Sequence, residues 1–390
     1  MSFEVIESAR LREKVYHLHH ETGAEIYIEP KHGYASNYAI FGTRYGSIDN
    51  LFSLNGELVA VPEGIAHFLE HKLFESEDGD AFQRYARTGA NANAYTSFDR
   101  TCYLFSCTEH FSESLEILLD FVQKPYFTEK TVQKEQGIIG QEIGMYLDDP
   151  NWRVFFNLLG ALYHDHPVRI DIAGTQQSIS EITADLLYKC YHAFYNLNNM
   201  VLCVSGDLEP EAVLETADRL LIKAPPMQVK AVFKDEPSTI VTSRVEQRLS
   251  VSVPLFHIGF KESPSQGKAL ARSEAINGIL LEIVGGDASA LYRRLYDGGI
   301  INASFGLQYF SGRSFASMII GGESREPDRI MEEFLKEIAR LKREGIPPRD
   351  FERAKKAVFG RIAASYDSVE DISNSLASSR FAGMEPFDIV

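Results

Sequence analysis

The chain has 390 residues, 39 of them basic and 55 acidic, for a formal net charge of −16. An acidic excess of that size argues against nucleic acid or an anionic membrane as partner, because phosphate-reading surfaces need Lys and Arg. With 44 % apolar and 24 % charged residues the composition is ordinary globular, not disordered, and the length predicts two or three domains at roughly 100–200 residues each.

The N-terminal run Met1-Ser2-Phe3-Glu4-Val5-Ile6-Glu7 has no basic flank and no apolar core, so it is not a secretory signal. No apolar stretch approaches the ~20 residues that a membrane helix needs. Four cysteines in so long a chain do not make a disulfide scaffold, and Cys102 and Cys107 fall in a strand-like run that favours burial over metal binding. A cytoplasmic location is expected.

In chain order, Val15–Leu18 and Glu25–Ile28 flank a turn at 21–24, a hairpin signal, and Tyr38–Tyr45 continues the β pattern. At Val61-Pro62-Glu63-Gly64 the pattern changes to helix, with Pro62 and Glu63 expected in the first turn and helical periodicity from Ile65 to Phe74. A short helix follows at 81–87, stopped by Gly89, then strands at 92–97 and 101–107. Residues 112–123 form an amphipathic helix with Leu115, Leu118, Leu119 and Val122 on one face. A long helix from Glu129 to Met145 ends near Asp148-Asp149-Pro150, a further helix covers 182–195, and Met200–Ser205 is a short apolar strand.

The proline-bearing stretch 224–238 is the expected linker. Beyond it the order starts over, with strands expected at 240–245 and 249–260, a helix over 270–284 and another over 290–296. A direct alignment sets His67–His71 against Asn277–Leu281, Ala81–Arg84 against Ala290–Arg293, and Val132–Glu142 against Phe351–Arg361. The expected fold is therefore α+β: two tandem homologous α/β domains, each a mostly antiparallel sheet packed with helices. The second copy runs out at Val390, opposite about Ile170, so the expectation is a C-terminal domain truncated by one helix and one strand.

One motif carries chemistry. His67-Phe68-Leu69-Glu70-His71 is an H-x-x-E-H run inside a helix, the reverse of H-E-x-x-H. Residues i and i+4 share a helix face, so His67 and His71 can aim at one divalent ion, with the Glu70 carboxylate on the same side to take a proton from water. A catalytic zinc needs a third protein ligand. The helix at 129–145 offers Glu142, with Glu135 two turns earlier on the same face to orient a ligating histidine. Either glutamate alone would read as part of a solvated acidic face.

Together these residues resemble the pitrilysin/insulinase family of zinc metallopeptidases, whose motif is H-x-x-E-H followed some seventy residues on by two glutamates spaced seven apart. Gly46–Asn50, Asn93–Ser97, Gly137–Glu142 and His166–Gly174 extend the resemblance, the last two toward the YmfH-type bacterial branch. The resemblance implies a zinc metalloendopeptidase acting on short unstructured peptides, with one Zn2+ per chain held by His67, His71 and Glu142. It implies Glu70 as general base, Glu135 as its catalytic support, and Asn93, Ala94 and Tyr95 on a sheet edge that pairs with extended substrate. It further implies a catalytic domain over 1–223, a linker over 224–238 and a non-catalytic homologous domain over 239–390. Because the family's chamber takes four such domains, a homodimer or a heterodimer with a paralogous chain is expected. In the second copy Asn277, Leu280, Leu281 and Arg361 replace the ligands and base, which excludes a second zinc site there. Where family peptidases carry an Arg/Tyr pair over the substrate, this chain has Tyr296 and Asn302, with Arg293 or Arg294 as substitutes. That departure keeps an alternative in view: a non-catalytic peptide-binding or scaffold partner of an active paralogue.

Overall fold

The computed structural model describes residues 2–77 and 79–390. The first half supplies β1 (Glu4–Ser8), β2 (Glu13–His19), β3 (Glu25–Pro30), β4 (Asn37–Thr43), β5 (Leu51–Leu54), β6 (Glu57–Ala60), α1 (Ile65–Leu73), β7 (Glu75–Ser76), β8 (Gly79–Asp80), α2 (Ala81–Thr88), β9 (Asn91–Thr96) and β10 (Thr101–Cys107). There follow α3 (Phe111–Val122), α4 (Glu129–Asp148), α5 (Pro150–Leu162), α6 (Gln176–Ser180), α7 (Ala184–Phe194), β11 (Met200–Gly206), α8 (Pro210–Leu220) and β12 (Val229–Ala231). The second half adds β13 (Leu255–Glu262), α9 (Lys268–Gly285), α10 (Ala290–Asp297), β14 (Gly306–Gly312), β15 (Phe315–Glu323), α11 (Pro327–Glu344), α12 (Pro348–Ser365) and α13 (Val369–Ala382). From β4 and from β13 the order is the same, small hairpins aside: strand, two helices, two strands, three helices. The α+β class with two related halves is what the sequence predicts.

The contacts divide the chain into two compact units, and neither is a continuous segment. One comprises Met1–Ile143, Ile170–Lys234 and Ser365–Phe387; the other comprises Gly144–Arg169, Asp235–Ala364 and Asp388–Val390. A boundary at 224–238 misses this exchange, in which α13 joins the first unit and α5 the second. The packing explains it. In the first unit the Phe381 ring of α13 lies over Gly42 of β4, where a Cβ would meet that ring at 3.1 Å and Cys102 Sγ at 2.8 Å. In the second, Leu158 and Leu162 of α5 lie over Gly259 of β13, with δ-carbons 2.8 Å from where its Cβ would be. Bare backbone lets each large side chain reach the sheet.

The first unit's main sheet runs β1-β2-β3-β11-β4-β10-β9, antiparallel except for the parallel pair β3–β11. β11 and β4 are buried along their whole length. The second unit's sheet is shorter, β13-β15-β14. The strand expected at 240–245 is not formed, and the expected 249–260 strand begins only at Leu255. In the first unit β11 bridges β3 to β4. No described residue plays that part beside β13, so the β-prone run 240–254 has no ladder to join, and Ile240, Val241, Val245 and Val251 stand 40–49 % exposed. The stretch 224–238 is tied down as well. Val229–Ala231 pairs with β5, and the Glu236 carboxylate accepts from the amides of His164, Asp165 and His166 at 2.7–2.8 Å.

On β3, Glu29 is fully buried. Burial, with the neighbouring Glu13 carboxylate, raises its pKa well above the usual carboxylate range despite Lys31. A carboxyl that ionises in the unfolded chain but stays protonated when folded loses stability as pH rises beyond that range. Glu29→Gln should therefore gain roughly 1–3 kcal/mol over wild type at pH 8 relative to pH 5. Equal differences in melting midpoint at both pH values would rule Glu29 out as the source.

Candidate metal centre

The H-x-x-E-H run lies on α1, which is buried along nearly its whole length. Its N-cap is Gly64 at φ 86°, a left-handed conformation that glycine adopts without strain. A Cβ there would meet the Ala173 carbonyl oxygen at 2.3 Å. Pro62 and Glu63 precede the helix instead of occupying its first turn, which holds no acidic residue.

One face of α1 carries both histidines, with ring centroids 4.6 Å apart. α4 brings Glu142 to them. Glu142 Oε1 is 3.7 Å from His67 Nε2, and Oε2 is 3.5 Å from His71 Nε2. Ligand atoms held tetrahedrally at ~2.0–2.1 Å from a zinc ion lie about 3.3–3.5 Å from one another. Donor atoms of His67, His71 and Glu142 all fall within 4.8 Å of one another. Two imidazoles and a carboxylate at this spacing fit zinc. Two turns up α4, Glu135 is buried and accepts from His71 Nδ1 at 3.0 Å, which leaves His71 Nε2 to face Glu142. Carboxylate-supported histidines of this kind are the usual way a protein fixes a ligand's tautomer.

The electrostatics agree with that division of labour. Burial, assisted by the adjacent His71, pushes the His67 pKa down, toward the neutral imidazole that metal binding requires. Burial opposes protonation of His71 too, but the Glu135 hydrogen bond and three nearby carboxylates raise it. Glu135 is lowered: burial resists, and the His71 hydrogen bond and charge prevail. Glu70, only 8 % exposed, is raised by burial against the pull of His71 and of Thr96.

Asn93, Ala94 and Tyr95 lie on β9, the terminal strand of the main sheet. Side chains alternate along a strand. The Tyr95 hydroxyl donates to Asn374 of α13 at 3.2 Å, and the neighbouring Thr96 points the other way, donating to Glu70 Oε2 at 2.8 Å. Motif reading missed the Thr96 contact with Glu70. Strand parity, which puts 92, 94 and 96 on a common face, was the available signal. In the second half Arg294 is engaged with Glu333 and Glu337 of α11 at 3.7 and 3.4 Å, and Arg361 pairs with Glu282 at 3.1 Å.

Comparison with known proteins is consistent with this geometry. Residues 60–176 match the family described as Insulinase (Peptidase family M16), and residues 181–358 match the Peptidase M16 inactive domain. The uncharacterized zinc protease YmfH of Bacillus subtilis (strain 168) is 44 % identical over 392 residues, spanning 99 % of this chain and 91 % of that protein. A second B. subtilis protein, the uncharacterized zinc protease YmxG, is 26 % identical over 78 % of this chain and 75 % of its own length. Among solved structures, an M16-like peptidase from Alicyclobacillus acidocaldarius superimposes with a TM-score of 0.93 at 35 % identity, covering 100 % of this chain and 91 % of that one. A Helicobacter pylori protease, at 19 % identity over 95 % and 90 % of the two chains, shares the fold with a TM-score of 0.79. The chain thus belongs to the insulinase family, peptidase family M16, in its YmfH-type bacterial branch.

Proposed function

We propose that this chain is a zinc metalloendopeptidase that hydrolyses short, extended peptides. The observation that carries the reading is the convergence of His67, His71 and Glu142 donors within 4.8 Å, with Glu70 one residue from His71 on the same helix. These three residues would hold one zinc ion per chain, consistent with the zinc-protease names of the B. subtilis relatives. When bound, zinc supplies the acidity that lets a water lose its proton near neutral pH and a positive charge for the carbonyl oxygen. The chain's own residues do the rest. Glu70 takes the proton of the attacking water and returns it to the leaving amine. Glu135 holds the His71 ring in place, and the buried setting of α1 limits competing water.

β9 supplies the docking edge. Ser97 N–H donates to the Arg100 carbonyl at 2.8 Å, which makes Thr96–Thr101 a non-hydrogen-bonded pair in the β9–β10 ladder. By alternation, Ala92 and Ala94 turn their main-chain groups to the free edge, whereas Asn93 and Tyr95 direct theirs to β10. An extended peptide would add there as a further strand, bound through main-chain hydrogen bonds with little sequence preference. It would displace the Asn93 carboxamide, which accepts from Ala94 N–H at 2.9 Å.

A second reading, a non-catalytic peptide-binding partner, draws on the match of residues 181–358 to the inactive domain. A quenched peptide library incubated with zinc-loaded protein, its products read by mass spectrometry, separates the two. New termini that vanish with chelator support the peptidase; peptides bound but intact support the scaffold. Two chains pairing around a chamber follow from the four-domain expectation, and light scattering of active protein at micromolar concentration should give a dimer mass. Monomer with full activity would refute the pairing.

A further inference from the structure

We infer that Thr96 is the positioning residue for Glu70, tying the general base to the strand on which substrate lies. The inference rests on the peptidase reading above and adds to it the device that orients the base. Glu70 is almost fully buried, and the Thr96 hydroxyl donates to Oε2 at 2.8 Å. The hydroxyl proton has one good acceptor: Thr101 Oγ1, at 3.4 Å, is beyond a normal O–H···O length, and Thr101 is itself fixed by donating to the Tyr45 carbonyl at 2.9 Å.

Two consequences follow. With Oε2 held, Oε1 is the oxygen left to exchange a proton with water. Thr96 is also the last residue of β9, two positions from Ala94, whose main-chain groups face the free edge. A peptide registered on β9 is thereby registered against the base through one short covalent path. β-branching suits the task, since Thr has few χ1 rotamers on a strand and keeps its hydroxyl aimed. Misplacement of a catalytic group by about 1 Å can cost on the order of 10²-fold in rate.

The test uses Thr96→Val, which keeps the shape and removes the hydroxyl, and Thr96→Ser, which restores it. With zinc-loaded protein, Thr96→Val should bind one zinc and keep KM within about 2-fold, while kcat falls about 10–100-fold; Thr96→Ser should recover to within about 5-fold of wild type. Crystals of both variants supply a readout independent of turnover. Glu70 should leave its wild-type position in Thr96→Val and keep it in Thr96→Ser. Wild-type kcat in Thr96→Val, or an undisturbed Glu70 in its crystal, overturns the inference. Should wild type cleave no peptide, the peptidase reading falls and the crystal comparison alone decides whether Thr96 positions Glu70.

Discussion

Glu70→Gln should bind zinc as tightly as wild type and lose about 10²–10⁴-fold in turnover, the usual contribution of a positioned acid–base group. The substitution is nearly isosteric, and its amide oxygen can still accept from Thr96, so the helix and the docking strand stay where they are. What disappears is a group able to take a proton from water and return it to the leaving amine. Burial favours the neutral amide over a carboxylate, so the variant should fold at least as well as wild type. Metal content by mass spectrometry and steady-state cleavage of one peptide check both halves of this prediction. Full zinc with wild-type turnover would remove Glu70 from the mechanism.

The second large effect is on the metal itself, and it comes as a ranked pair. His67→Ala deletes one of three donors and should abolish stoichiometric zinc and, with it, cleavage. Glu135→Gln leaves every donor in place and only loosens the His71 ring, so zinc affinity should fall about 10–100-fold, the range seen when such supporting carboxylates are lost. Competition with a chromophoric chelator measures both. Equal affinities in the two variants would contradict the roles assigned here, because a ligand and its support would then be indistinguishable.

What the sequence disclosed, and what it withheld, follows from the range of the interactions involved. His67, Glu70 and His71 were legible because one helix turn fixes their spacing, and Glu135 and Glu142 because two turns of α4 do the same. The hairpin at β2–β3 and the helices with a clean apolar stripe were legible for the same local reason. The exchange of α5 and α13 was not, since it depends on Gly42 and Gly259 receiving Phe381 and the pair Leu158 and Leu162 from far along the chain. The local pattern also passes over α5, α8 and α13 and the strands β14 and β15. The run 240–254 has the composition of strands, but a strand forms only beside a partner, and local pattern carries no record of whether one is present. Thr96 lay in plain view within Asn93–Ser97. Its role depends on which side of β9 faces α1, a fact of packing and not of motif.

Titrating metal-stripped protein with zinc, while following bound metal and peptide cleavage in the same samples, shows whether the ion held by His67, His71 and Glu142 carries the hydrolysis. If the bound zinc is the catalyst, cleavage appears in proportion to occupancy and saturates at one zinc per chain. Cleavage by the stripped protein, or a full equivalent of zinc bound at His67, His71 and Glu142 with no cleavage of any extended peptide, would contradict it.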